Sequence, residues 1–335
     1  MSLRPVTIIG VGKGLPERII TNDELSSIVE TNDEWISSRT GFKQRRVISG
    51  SESVSSLAIV AAKEALEFAG MTGEDVDLII CASSTPDYMF PSTACEVQAA
   101  IGSKAPAFNV VAACSGLVYG ISIANSFISA GTYKRVLVIG AEAHSRYIDW
   151  QDRNTCVLFG DGAGAVLMSE SDGENDILSV ELAADGKKAL ELTLPSGKTS
   201  CPLVNLEQKD ESDYIWMNGK EIYKFAVVTV PKTIKSAIEK AGLKIEDLTY
   251  LVPHHANMRI ITAVQDRLKL KDEQIIVSLE NYANTSTAST PIALSEAMEA
   301  GKLQRGDVIA LCGFGGGLTW GTAIIRWNAE DKRTK

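Results

Sequence analysis

The chain reads as an α/β protein assembled from two similar halves, and three observations predict this. Short β-rich apolar runs alternate with helical patterns along the 335 residues, as strands layered with helices do. Two pairs of segments match at nearly one offset. Ala65-Leu-Glu-Phe-Ala-Gly-Met-Thr-Gly-Glu-Asp-Val-Asp-Leu-Ile-Ile80 lies over Ala237-Ile-Glu-Lys-Ala-Gly-Leu-Lys-Ile-Glu-Asp-Leu-Thr-Tyr-Leu-Val252 at a shift of 172. Gly131-Thr-Tyr-Lys-Arg-Val-Leu-Val-Ile139 lies over Gly301-Lys-Leu-Gln-Arg-Gly-Asp-Val-Ile309 at a shift of 170. One helix–Gly–strand match arises by chance, but two at one offset indicate a duplication. The polar stretch 169–176 is the natural seam, giving halves of 1–172 and 173–335.

In chain order, the apolar run at 6–11 is the first strand. An amphipathic helix over 57–68 closes on Ala69-Gly70, and an Asp-bearing connection leads to Leu-Ile-Ile-Cys-Ala at 78–82, a buried strand. Residues 108–111 form the next strand and 115–129 a helix apolar nearly all round, hence buried between layers. Runs at 136–140 and 163–168 complete the first half. In the second, a helix over 221–240 ends in Ala241-Gly242 like its counterpart and precedes a strand at 250–252. A helix over 293–300 and strands at 308–311 and 322–326 finish the pattern.

Composition excludes several classes. A hydrophobic content of 45% with 22% charged residues is that of a globular protein, and a net charge of −9 argues against general nucleic-acid binding. The apolar start is too short for a signal-peptide core and no run approaches a membrane helix, so the cytoplasm is expected. Six cysteines without a CxxC pair and three histidines give free thiols and no structural metal.

Cys114 stands in Val111-Ala-Ala-Cys-Ser-Gly-Leu117, between a buried strand and the all-apolar helix. There a thiol meets unpaired N–H groups and the positive end of the helix dipole, which lowers its pKa. Small neighbours leave room for a substrate. An ordinary cysteine is a small buried hydrophobe, the reading kept for Cys81, Cys95, Cys156, Cys201 and Cys312. Adding 170 to Cys114 gives Asn284, so both stand before a buried helix and face the junction of the halves. Taken alone, Asn284 passes for a turn or cap residue. His254, in Val252-Pro-His-His-Ala-Asn257, ends a strand where α/β proteins place their clefts. Gly313-Phe-Gly-Gly-Gly-Leu-Thr-Trp-Gly321 is either a tight turn or a backbone close enough to substrate for an oxyanion hole. The early Gly10-Val-Gly-Lys-Gly14 is weak as a dinucleotide motif because Pro16 follows. Cys, His and Asn suit acyl transfer and also a papain-like protease, though the duplication and triple glycine have no place in the latter.

From residue 6 to 327 the chain resembles β-ketoacyl-acyl-carrier-protein synthase III, the initiating condensing enzyme of type II fatty-acid synthesis. The motifs that carry the resemblance are Thr31-Asn-Asp-Glu-Trp-Ile-Ser-Ser-Arg-Thr-Gly41, Ala112-Ala-Cys-Ser-Gly116, Asp149-Trp-Gln-Asp-Arg153, Phe159-Gly-Asp-Gly-Ala-Gly164, Pro253-His-His-Ala-Asn-Met-Arg259, Asn284-Thr-Ser286 and Gly313 to Gly321. It implies a thiolase-like fold, two βαβαβαββ halves in a five-layered α-β-α-β-α sandwich. By the same resemblance, Cys114 takes an acyl primer from CoA, acetyl in first place. His254 and Asn284 then stabilise the enolate made when a malonyl thioester on acyl carrier protein loses carbon dioxide. The N–H groups of Cys114 and Gly316 hold the oxyanion. Thr31, Trp35, Arg39, Arg153, Gly219 and Asn257 contact CoA. Phe90 and Phe314 close the acyl pocket, Phe90 across a homodimer interface. Lys224 and the loop His255, Ala256, Asn257, Met258, Arg259 face the carrier protein. No cofactor, membrane or nucleic acid is implied.

The family's usual Gln and Gly give way here to His255 and Ala283. Neither change touches a catalytic atom, but both weaken any inference of primer, and a condensing enzyme of secondary metabolism with another primer is the alternative. A thiolase would carry a second cysteine at position 313; Cys312, one residue off, should point to the opposite strand face. A non-catalytic partner subunit would lack the nucleophile. Residues 216–271 carry ten Lys or Arg against five Asp or Glu, a net of +5 on an acidic chain, as docking of an acidic carrier requires.

Overall fold

A computed structural model describes residues 3–195 and 214–333; Cys201, expected to be a free thiol, lies outside them. Two sheets form the frame. The first has β1 (Val6–Gly14), β7 (Gly162–Glu170), β6 (Arg135–Glu142), β4 (Leu78–Ala82) and β5 (Ala107–Val110), in that order. The second has β11 (Tyr250–Pro253), β12 (Val308–Gly315), β13 (Thr319–Arg326) and β8 (Ile177–Ala184). Read from β8, this repeats the first sheet: β4 and β6 pair in parallel as β11 and β12 do, each followed by antiparallel neighbours. A lone parallel bridge from Leu251 to Ile275 stands where β5 stands in the first sheet.

Helices make three layers around these sheets. α5 (Gly116–Ser129) and α10 (Ser289–Glu299) lie between them, each touching strands of both. Their apolar faces, with Leu117, Ile121, Ala293 and Leu294, join Ile80, Val138, Leu311 and Ile325 in the central core. α3 (Val54–Phe68) and α4 (Thr93–Ala100) cover the outside of the first sheet. α7 (Gly219–Lys240) covers the second and packs against α8 (Met258–Leu268). The result is the expected α-β-α-β-α sandwich. α3 starts where it does because Ser53 and Ser56 form a reciprocal capping box. The glycines of the early Gly10 to Gly14 run serve this packing: a Cβ on Gly10, Gly12 or Gly14 would come within 2.1–2.4 Å of α3 carbonyl oxygens. They bring strand and helix into contact.

Smaller elements gather into a cap with its own core. They are the hairpin β2 (Arg18–Thr21) and β3 (Gln44–Val47), the helices α1 (Asn22–Leu25), α2 (Asp33–Thr40), α6 (Arg153–Cys156) and α9 (Leu279–Tyr282), and the ribbon β9 (Leu192–Thr193) and β10 (Trp216–Met217). Among the described residues no helix is long and apolar enough to cross a membrane.

Candidate active site

Cys114 lies in a 3-10 turn, Ala113–Ser115, that leads from β5 into α5. The turn is tight, with Ala113 at φ +45. β12 passes directly over it, which explains the glycine run: a Cβ on Gly313 would sit 2.9 Å from the Cys114 carbonyl oxygen, and one on Gly315 would sit 2.7 Å from the Cys114 nitrogen. Sequence patterning ended this strand at 311; it continues to Gly315 because only glycine fits beneath. Cys312, out of phase with these glycines, lies in the outer core with α7.

The sulfur occupies the neck between two cavities. The outer, of about 360 Å³, is lined by Trp35, Met217, Gly219, Asn257, His254 and Asn284 among others. The inner, of about 70 Å³, lies among His144, Phe159, Leu192, Ile215 and Gly316. Burial pushes the Cys114 thiol up to about 12, and the Glu142 carboxylate adds to the effect, while a Ser286 hydroxyl donating to Sγ at 3.2 Å opposes it. The expected lowering is therefore corrected. The regular helix begins only at Gly116, so its dipole end lies past a desolvated sulfur. The Cys114 side chain is thereby held as a thiol.

His254 follows β11, with its N–H donating to the Cys312 carbonyl at 2.8 Å. Burial, with His255 and His144 nearby, pushes its imidazole down to about 3, so the ring is neutral. Nδ1 is 2.9 Å from the Ser289 hydroxyl, which is also 2.7 Å from the Ser286 carbonyl oxygen. When Ser289 gives its one proton to Nδ1, Nε2 carries the ring N–H. Asn284 sits between α9 and α10, where its backbone N–H donates to Leu158 and its carbonyl accepts from Gly160. Its Oδ1 accepts from the Ser286 N–H at 2.8 Å, which leaves the amide NH₂ for the cavity it lines. Cys114 from the first half thus meets His254 and Asn284 from the second.

Other expected residues are placed unevenly. Arg39 and Arg153 each stack on Trp35, 4.8 Å from the ring centroid. Thr31, before the α2 cap Asn32, lies outside the cavity lining. Asn257 lines the outer cavity but also caps α8, accepting from Ile260 N–H at 3.0 Å. Ala256 and Arg259 line it too, and Met258 packs on the cap core. Lys224 is exposed and donates to Glu221 at 2.6 Å. Phe90 is 87% exposed.

Two expectations fail, those for His255 and Cys95. His255 is only 1% exposed, so it cannot touch a carrier protein; its side chain turns inward while Arg259 stays outside. Phe314 lines the outer cavity, packed edge-on against His254 at 5.2 Å, on the strand face it shares with Cys312. Cys95 is exposed on α4, not buried. Sequence reasoning missed Ser286, Ser289, His144 and Glu142. The last had a signal, a lone acid at the carboxyl end of an apolar strand.

Layers and cavity define a thiolase-like protein with its cysteine at the junction of two halves. The model described as 3-oxoacyl-[acyl-carrier-protein (ACP)] synthase III matches residues 108–186, and the one for its C terminal part matches 238–327. A β-ketoacyl-[acyl-carrier-protein] synthase III of Microcystis aeruginosa is 49% identical over 325 residues, covering 96% of this chain and 97% of the relative. One from Bacillus cereus is 46% identical over 323 residues, covering 96% and 99%. The crystal structure of 3-oxoacyl-[acyl-carrier-protein] synthase III from Aquifex aeolicus superposes with a TM-score of 0.90 at 46% identity, covering 96% of this chain and all of that one. The chain belongs to the β-ketoacyl-acyl-carrier-protein synthase III family.

Proposed function

We propose that this protein performs the initiating condensation of fatty-acid synthesis in the cytoplasm, joining a short acyl group from CoA to a malonyl unit on acyl carrier protein. The observation that carries the reading is the meeting of thiol, neutral imidazole and free amide NH₂ where a larger cavity adjoins a smaller one. Residues 1–172 supply the nucleophile and 173–335 the His/Asn pair. No cofactor is needed.

In the first displacement Cys114 attacks the acyl-CoA carbonyl, and the N–H groups of Cys114 and Gly316 hold the oxyanion. The acyl chain enters the inner cavity, which at about 70 Å³ is much the smaller of the two, and a short primer such as acetyl is assigned to it. CoA lies in the outer cavity past Gly219 and Asn257, with Arg39 at its phosphates. Its adenine goes between Trp35 and Arg153, which must part to about 7 Å to admit a ring. In the second displacement the malonyl thioester follows the same path. Nε2–H of His254 and the amide of Asn284 stabilise the enolate oxygen as carbon dioxide leaves, each donor worth about a hundredfold in rate. The carbanion takes the acyl group from Cys114.

Ala256 and Arg259 line the outer cavity, and with Lys224 and Met258 they are assigned to the carrier protein. Phe90, Met89 and Val111 are 87%, 79% and 76% exposed, and Val111 directly follows β5, the end strand of its sheet. A second copy of the chain is the assigned cover, with Phe90 entering its acyl pocket. Incubation with acetyl-CoA followed by intact mass and peptide mapping tests the core of this reading. One acetyl group on Cys114 is expected, and none on Cys114→Ala. Acetylation elsewhere, or none, contradicts it.

A further inference from the structure

The condensation as drawn leaves one buried acid beside the nucleophile unused. Glu142 ends β6 with no exposure. Its carboxylate accepts from Ser84 N–H at 3.1 Å and from the Thr85 hydroxyl at 2.5 Å. The Ser286 hydroxyl lies 3.4 Å from Glu142 Oε1 and 3.2 Å from Cys114 Sγ, so its single proton is shared between acid and sulfur. Ser286 is held there in a left-handed backbone at φ +53, a conformation that costs a side-chain-bearing residue on the order of 1 kcal/mol. The hydrogen bond from its own N–H to Asn284 Oδ1, at 2.8 Å, fixes it.

We infer that Glu142 takes the thiol proton of Cys114 through the Ser286 hydroxyl during acylation and returns it when the condensation releases Cys114. This presupposes the acyl-transfer reading of Cys114. As the Sγ–acyl bond forms, the S–H proton passes to Ser286 Oγ and the Ser286 proton to Glu142 Oε1. The bond to CoA breaks, and the departing thiolate takes a proton from solvent. When the carbanion attacks, the Sγ–acyl bond breaks and Glu142 sends its proton back to the sulfur. One solvent proton is consumed per turnover, balancing the carboxylate lost as carbon dioxide.

The surroundings favour this acid over other bases. The thiol, pushed up to about 12, does not ionise unaided. The chain's three histidines are pushed down to about 3 or 4 by burial, so their rings stay neutral and are too weakly basic to hold a thiol's proton near neutrality. Burial pushes Glu142 up to about 7, where taking and returning a proton are nearly balanced. The titratable groups facing it are the Cys81 thiol from β4 and Cys114, both raised by its charge. His144 lines the same inner cavity, and Arg146 binds the Thr85 carbonyl and Asp87.

Acylation of the full chain by acetyl-CoA alone, quenched and weighed at a series of pH values, reads this step. The carboxylate is the accepting form, so the wild-type rate should rise with pH through about 7. Glu142→Gln should fall by about a hundredfold or more and lose that rise. Ser286→Ala, which keeps the acid but removes the bridge, should do the same and decides the matter if Glu142→Gln fails to fold. A Gln variant with the wild-type rate, or a slower one that keeps the rise, overturns the relay. A wild type that takes no acetyl group overturns instead the acyl-transfer reading beneath it.

Discussion

The three histidines of the chain, His144, His254 and His255, are all buried and all held neutral. Unfolded, each ionises near 6.5; folded, none does until about 4 or 3. Their contribution to stability is therefore complete above about pH 6.5 and is lost as pH falls, at about 1.4 kcal/mol per pH unit for each proton. Glu142 runs the other way, since its folded value of about 7 lies above the ordinary 4.5, and it gains stability as pH falls between them. Histidines outnumber it, so the melting temperature should drop as pH is lowered from about 6.5 to 4. His255→Gln, which removes a buried ring whose Nε2 has no hydrogen-bond partner, should make that drop shallower by about one proton's worth. An unchanged slope would show that His255 does take up a proton in the fold. At this scale sequence motifs disclosed Cys114, His254 and Asn284. They left Ser286 and Glu142 silent, because their contacts join residues 172 and 144 positions apart.

Periodicity found most of the strands and helices that carry the site, since buried runs and the all-apolar α5 have no other good explanation. It missed β8, whose half-buried residues do not alternate cleanly, and α8, whose start is masked by the polar His254 to Arg259 loop. α7 and α8 hold most of the basic surplus that composition located in residues 216–271. If this surface steers an acidic carrier protein, Lys224→Glu on α7 should raise the apparent KM for malonyl-carrier protein by about 2- to 5-fold, the worth of one exposed charge, and flatten its salt dependence. Acylation by free acetyl-CoA should change far less, because Lys224 lies outside the cavity lining. Equal loss with both donors would remove the docking assignment.

Across the whole molecule, two sheets of matching strand order bring a cysteine together with a histidine and an asparagine at their junction. The internal matches at shifts of 172 and 170 made that junction legible. Which side chains turn inward at it depends on packing, as His255 and Phe314 show. The central claim is a division of labour: Cys114 accepts the acyl group, while His254 and Asn284 act on the malonyl thioester. Asn284→Ala separates the two most directly, with self-acylation of Cys114 by acetyl-CoA and decarboxylation of malonyl-carrier protein measured on the same preparation. Acylation should persist while decarboxylation and condensation fall by about a hundredfold or more. Equal loss of both half-reactions, or decarboxylation at the wild-type rate, would contradict it.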